Sequence, residues 1–398
     1  MAFYTGVGSS KQLQDSYAAG KEAATIALKN SGQESVDLAI LVVSSQYEQE
    51  AMLKGVREVL HNAPVVGCTN AGAITSEGVE EQAVSVLVLR SDDGKFIPVK
   101  VTDIGRDMRA AGKSFAEQLK DGAMGEKPSI AFLFSDALAG NGTEMVRGIF
   151  DVFGSDFRIA GGAAGDDMNF KKTYQYFNDE LLTNAVVGFG ITGNIKVAVG
   201  ANHGWQPIGT SRVVTKAEGT KLIELDGKPA FEIYKDYFAE RSGDFKKALS
   251  LAAVTYPLGM KAEGVDEIMI RVPLAVEDDG SIICGAEVVE GSEVNLMIGT
   301  LASAMQAAKD TVQNLVDLVP DANPRVVFVS DCVARKILFG DRGQEEIALL
   351  KTIGGPQSVI FGFYSYGQIA SLKTPAKNIN TCDPGFYEQS ISIAVFGS

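Results

Sequence analysis

Residues 37–45, DLAILVVSS, and 65–72, VVGCTNAG, decide the fold of this chain. The first is a continuous apolar run, the pattern of a strand buried on both faces, as in a parallel sheet. Between the two, residues 48–60 place Leu53, Val56, Val59 and Leu60 on one helical face. The segment therefore reads strand, helix, strand, and closes on a glycine turn. Two further strands are expected at 83–90 and 96–101. Asp92-Asp93-Gly94 between them reads as a hairpin turn.

The same order recurs. SIAFLFS (129–135), a helix at 144–153, RIAGGAAGD (158–166) and AVVGFGITGNIKVAV (185–199) form a second copy, again ending in an expected hairpin. A looser third copy comprises RVVFVS (325–330), a helix around 345–351, SVIFGFYSYGQI (358–369) and SISIAVF (390–396). The unit, β-α-β-glycine turn-β-β, is too long and too degenerate for a solenoid. Its duplication predicts an α/β fold of mixed sheets with helices on the outer faces, an α-β-β-α stack being one form. Between the second and third copies the pattern changes to short strands around 268–272, 282–289 and 295–298, followed by a long helix at 301–318. With 398 residues, against roughly 150 for a typical domain, the expected division is 1–220, internally duplicated, and 221–398.

Composition narrows the function. The net charge is −14, with 36 Lys+Arg against 50 Asp+Glu and no basic block. That excludes the electrostatic footprint for nucleic acid or anionic lipid. His61 and His203 are the two histidines, too few for a multi-histidine metal centre. The four cysteines, Cys68, Cys284, Cys332 and Cys382, form no CxxC and read as reduced thiols. No secretory signal pattern and no apolar run of about 18 residues is present, so a cytoplasmic protein without membrane insertion is expected, with no metal or cofactor.

The two glycine turns are the first candidates for a site. Gly67 to Gly72, with Cys68, Thr69 and Asn70, and Gly161 to Asp166, with Gly162 and Gly165, occupy equivalent places after strands. Glycines there permit close approach of backbone to a ligand, or simply tight crossing of packed sheets. Residues 188–193, GFGITG, match GxGxxG but lie between strands, where no helix N-terminus faces a pyrophosphate. A denser polar set lies in the last third: Asp331, Cys332, Arg335, Tyr364, Tyr366, Gln368 and Gln389. Arg335 is either an ion-pair partner or a fork for a ligand carboxylate. Cys332 is either a small buried residue or a nucleophile.

Together these segments resemble the FIST family of paired FIST N and FIST C domains. The resemblance rests on VVGCTNAGAI (65–74), AGGAAGDDMNF (160–170), GWQPIGTSRVVTKAEG (204–219), LDGKPAFEIY (225–234), SDCVARKILFG (330–340) and GFYSYGQIA (362–370). It implies a non-catalytic sensory protein that binds small ligands, amino acids being the proposed class, and that couples to signalling proteins such as histidine kinases. The chain departs from the family pattern at Gln368, where glutamate is usual. It departs again at Tyr387-Glu388-Gln389-Ser390, where a sequence close to His-Asn-Gln-Thr is usual.

The favoured reading is a small-ligand sensor. In it Arg335 holds a carboxylate, and Tyr364, Tyr366, Gln368, Cys332 and Gln389 supply contacts. The two glycine turns (Cys68, Thr69, Asn70, Gly162, Gly165, Asp166) complete the pocket. The alternatives are an enzyme acting on a small carbonyl or ester substrate through Cys332 or Cys68, and a ligand-free protein-interaction module.

Overall fold

The apolar runs become central strands. The computed structural model describes residues 2–239, 249–262, 264–318 and 324–397. The chain is mixed α/β, with several mixed sheets and helices on their outer faces. In the first sheet the parallel pair Leu38–Ser44 and Val65–Asn70 is flanked by antiparallel Val84–Ser91, with Phe3–Ser10 beyond it. The second sheet repeats this with Ile130–Ser135, Ile159–Ala163, Ala185–Gly193 and Gly94–Thr102. The third repeats it with Pro324–Cys332, Val359–Ser365, Ile391–Gly397 and Lys196–Asn202.

The strand pairs expected to form hairpins at 83–101 and 185–199 do not pair with each other. Val84–Ser91 belongs to the first sheet and Gly94–Thr102 to the second. Ala185–Gly193 belongs to the second and Lys196–Asn202 to the third. Each polar tip is a crossing from one unit to the next. In these three sheets a short antiparallel strand pair follows each glycine turn. These pairs are donated cyclically. Ala73–Thr75, from the first unit, pairs with Val359–Ser365 of the third. Gln175–Phe177, from the second, pairs with Val65–Asn70 of the first. Gly367–Ala370, from the third, pairs with Ile159–Ala163 of the second.

The inner faces of the three sheets share one aromatic core. Phe3 comes from the first sheet, Phe132 and Phe189 from the second, and Phe328 and Phe396 from the third. Phe132 stacks on Phe189 at 4.7 Å and meets Phe328 and Phe396 edge-on at 5.4 Å. Outside, Ser16–Ser31 and Gln49–Leu60 cover the first sheet, and Met108–Gly122 and Gly142–Phe153 the second. Leu301–Leu318 and Gly343–Gly354 cover the third. Any two sheets with their helices thus give the α-β-β-α order of layers.

Two sets of glycines set these distances. Gly67, Gly161 and Gly362 stand opposite Leu41, Leu133 and Val329 in the parallel pairs. A Cβ on them would lie 1.9, 2.0 and 1.8 Å from the facing carbonyl oxygen. In the outer layer Gly20 and Gly55 let one helix pair touch backbone to backbone, and Gly112 and Gly148 do the same for the next. The formal GxGxxG at 188–193 lies inside a strand, where Gly188 abuts the Phe132 carbonyl.

A fourth, antiparallel sheet is inserted into the third unit between Lys196–Asn202 and Leu301–Leu318. It includes Gln206–Glu218, Lys221–Leu225, Leu258–Lys261, Pro273–Val276 and Glu293–Ile298, and packs its own core around Tyr234, Leu222 and Leu296. The boundary expected at 220 falls at the turn between two of its paired strands. Among the described residues no helix is long and apolar enough to cross a membrane.

Gly161→Ala should lower the unfolding free energy by about 3 kcal/mol. The added carbon has no space, and the φ of +127° disfavours a side chain. The urea midpoint of this variant against wild type measures the loss.

Candidate functional site

The carboxyl ends of parallel strands are where α/β sheets leave crevices. Here Pro324–Cys332 runs directly into the short helix Val333–Phe339. Beside this junction lies a cavity of about 300 Å³. Its walls come from three parts of the chain: Met168 and Phe170 after the second glycine turn, Val254, Val272 and Leu274 of the insertion, and Cys332, Ala334, Tyr366, Glu388 and Gln389 of the third unit. The volume sits at the lower end of the roughly 300–1,000 Å³ range of small-molecule sites.

The wall on the glycine-turn side is held by Asp166. Its carboxylate accepts the amides of Phe170, Lys171 and Lys172 at 2.7, 2.7 and 2.9 Å and the hydroxyl of Tyr366. Burial alone would raise the pKa of Asp166. The Tyr366 hydroxyl and the three amides outweigh it and hold the carboxyl below its ordinary range. Phe170 then stacks on the Tyr366 ring at 4.3 Å. The first glycine turn braces the second. The Gly165 amide donates to the Thr69 carbonyl, the Asp167 amide to the Asn70 carbonyl, and a Cβ on Gly165 would lie 3.1 Å from the Ala71 nitrogen.

The floor is polar. Gln389 is fully buried, and its Nε2 donates to the Ala253 carbonyl at 2.7 Å. Its Oε1 has no partner among the described residues. Glu388 Oε2 accepts the Val272 amide at 3.1 Å. Burial pushes its pKa up to about 7, against the opposing pull of Arg271 and the Val272 amide; Asp383 adds to the rise. Arg271 itself is committed to Asp383 at 2.7 Å and to backbone carbonyls.

Of the residues expected at a site, Cys332, Tyr366 and Gln389 line this cavity. Asp166, Gly165, Thr69 and Asn70 support its wall, and the Thr69 hydroxyl accepts the Tyr174 amide. Arg335 does not face it. Its guanidinium is fully buried and donates to Asp331 at 2.8 Å, to Glu346, and to the His203 and Ala304 carbonyls. The expected carboxylate fork is therefore an internal clamp. Burial and the charge of Glu346 push the Asp331 carboxyl up despite Arg335. Tyr364 is buried beside this clamp. Gln368 closes an internal chain instead, donating to Ser365 and accepting the Ser390 amide. Gly162 gives that chain room, since a Cβ there would strike Ser330. Cys68 is enclosed in the aromatic core.

Burial pushes the Cys332 thiol up to about 11 and Cys68 well above its ordinary value, so neither is a thiolate near neutral pH. His203 is pushed down to about 4 by burial, with the Ile268 carbonyl opposing. Its ring bridges the Trp205 amide and that carbonyl. Among the described residues no group of three or more His, Cys, Asp or Glu could hold a metal ion. The apolar walls and Glu388 were absent from the expected site. Glu388 stood inside the quoted Tyr-Glu-Gln-Ser segment, but in sequence a glutamate reads as solvated.

A family model described as FIST N domain matches residues 37–228, and one described as FIST C domain matches residues 230–371. An uncharacterized protein of Methanocaldococcus jannaschii is 23% identical over 347 residues, covering 82% of this chain and 66% of its own length. An uncharacterized protein of Mycobacterium tuberculosis is 22% identical over 377 residues, 92% of this chain and 94% of its own. Among solved structures, a chorismatase is similar with a TM-score of 0.40 at 9% identity, over 99% of each chain.

Two substitutions separate the roles of the buried charges. Arg335→Met should cost about 3–5 kcal/mol, because it leaves Asp331 and Glu346 buried without their cation; chemical denaturation measures it. Glu388→Gln acts the other way. Unfolded, this carboxyl titrates near 4.5; folded, at about 7. Below 4.5 both states are protonated and the group contributes nothing. As pH rises to 7 the unfolded state loses its proton first, so stability falls. Glu388→Gln should therefore stabilise the protein by about 3 kcal/mol at pH 8 and by almost nothing at pH 4.5. Unfolding curves at the two pH values check the sign.

Proposed function

The chain belongs to the FIST family, whose domains are associated with sensory and signal-transduction roles, and on that premise we propose that it is a sensory protein whose cavity at Cys332, Tyr366 and Gln389 binds a small ligand. The observation that carries this is Gln389. The residue lines the cavity, and its buried amide oxygen has no donor among the described residues to satisfy it. A lone buried acceptor costs about 1–3 kcal/mol, and a bound molecule with a donor relieves that cost. The walls are preformed by the Asp166 hydrogen bonds, which lowers the ordering cost of binding.

The amino-acid or carboxylate class implied by the family needs a cation other than Arg335, whose donors are occupied. A cysteine-based enzyme is the weaker reading, since burial disfavours both candidate thiolates. Met168, Phe170, Leu251, Leu274 and Ile337 are exposed around the mouth. An apolar rim of this kind is a surface on which ligand occupancy would be felt by a signalling partner such as a histidine kinase. The four unpaired, buried cysteines fit a reducing, cytoplasmic setting.

A thermal-shift screen of amino acids, organic acids, alcohols and amines tests the site. A ligand present at about 100 times its Kd should add roughly 2.7 kcal/mol of stability. Ala334→Trp, which fills the cavity from its wall, should abolish the shift while the variant stays folded by circular dichroism. A hit unaffected by Ala334→Trp sinks the assignment.

A further inference from the structure

We infer that the ligand of this cavity is an organic amine with an apolar body, its ammonium seated between Gln389 Oε1 and the Glu388 carboxylate. The inference rests on the ligand-site reading above and adds the chemistry of the head group.

The orientation of the Gln389 amide is fixed by chemistry. One end meets the Ala253 carbonyl at 2.7 Å, which only the NH₂ group can face. The oxygen is therefore the end left over, and it is buried without a donor among the described residues. The preceding residue contributes a second acceptor. Glu388 spends Oε2 on the Val272 amide, while Oε1 accepts no hydrogen bond among the described residues. Gly285 leaves the space this carboxylate needs, for a Cβ there would lie 2.0 Å from Oε1. Two consecutive residues of the cavity lining thus each carry an acceptor oxygen without a donor among the described residues, one of them on a carboxyl group.

An ammonium matches that floor. It brings up to three donors and a positive charge. A ligand carboxylate would bring only acceptors to acceptors, and among the described residues no Lys or Arg lines the cavity. The remaining walls, Val254, Val272, Ala334 and the Tyr366 ring, call for an apolar body. A volume of about 300 Å³ corresponds to about ten waters at roughly 30 Å³ each, room for a ligand the size of phenethylamine.

The test is calorimetric titration of the full chain at pH 8 with three probes that share a phenethyl body: phenethylamine, 2-phenylethanol and 3-phenylpropionate. The expected result is that phenethylamine binds at least about 10-fold tighter than 2-phenylethanol, with no binding of 3-phenylpropionate. Glu388→Gln, which is expected to fold well, should bring the amine down to the affinity of the alcohol. Gln389→Met should weaken both. Equal or tighter binding of the alcohol or the acid overturns the amine assignment and leaves the ligand site standing. An amine preference that survives Glu388→Gln overturns it as well. Failure of all three probes to bind overturns the amine assignment and the site together.

Discussion

Each of the three parallel strand pairs has an outer edge that its own unit leaves uncovered. An open edge of N–H and C=O groups is a standing liability for any sheet. Here it is closed by a short hairpin from another unit: the first unit covers the third, the second covers the first, and the third covers the second. No unit is complete alone, and the cycle closes within one chain. The shared aromatic core follows from this closure, since three sheets tied edge to edge must turn their inner faces toward one another.

The same exchange positions the cavity. The hairpins leave from the glycine turns, so chain crossing from one sheet to the next passes over the strand ends. That brings the loop after Gly165 against the turn at Asn70 and against Tyr366. Asp166 fixes the loop with four hydrogen bonds. On the opposite side the Asp331–Arg335–Glu346 cluster ties the strand end to the helices at 333–339 and 343–354. The walls are thus held by polar bonds within the protein itself.

The parts of this arrangement visible in sequence are those with a local signal. Continuous apolar runs such as 37–43 declare buried strands, and their recurrence declared the three units. The three-residue strands Ala73–Thr75 and Gln175–Phe177 are too short to show a period, so the exchange they carry was hidden, and polar tips at 92–94 and 193–195 passed for hairpin turns. Arg335 illustrates the limit for sites. Its fork geometry suits a ligand carboxylate, but its partners lie at Glu346 and at the carbonyls of His203 and Ala304, which no spacing rule connects. Cys332, Tyr366 and Gln389, which line the cavity, belong to the dense polar set that the sequence places in the last third. Glu388 was passed over because only the fold reveals that it is buried.

The register explains why the cavity belongs to the third unit. Gly67, Gly161 and Gly362 face Leu41, Leu133 and Val329, so Ser44, Asp136 and Cys332 hold equivalent places three residues on. In the first unit Ser44 donates to Asp167 at 2.9 Å. In the second, Asp136 accepts the Thr173 hydroxyl and the Leu138 and Asn184 amides at 2.8–2.9 Å. Both strand ends are filled by bonds from the chain's own loops. The third unit carries a cysteine there, with no hydroxyl or carboxyl to draw a loop inward, and it is also the unit that received the inserted sheet. The insertion supplies Val254, Val272 and Leu274 as a distant apolar wall in place of a hydrogen-bonded plug. Two of the three equivalent strand ends are closed by their own polar groups, and the third opens on the cavity.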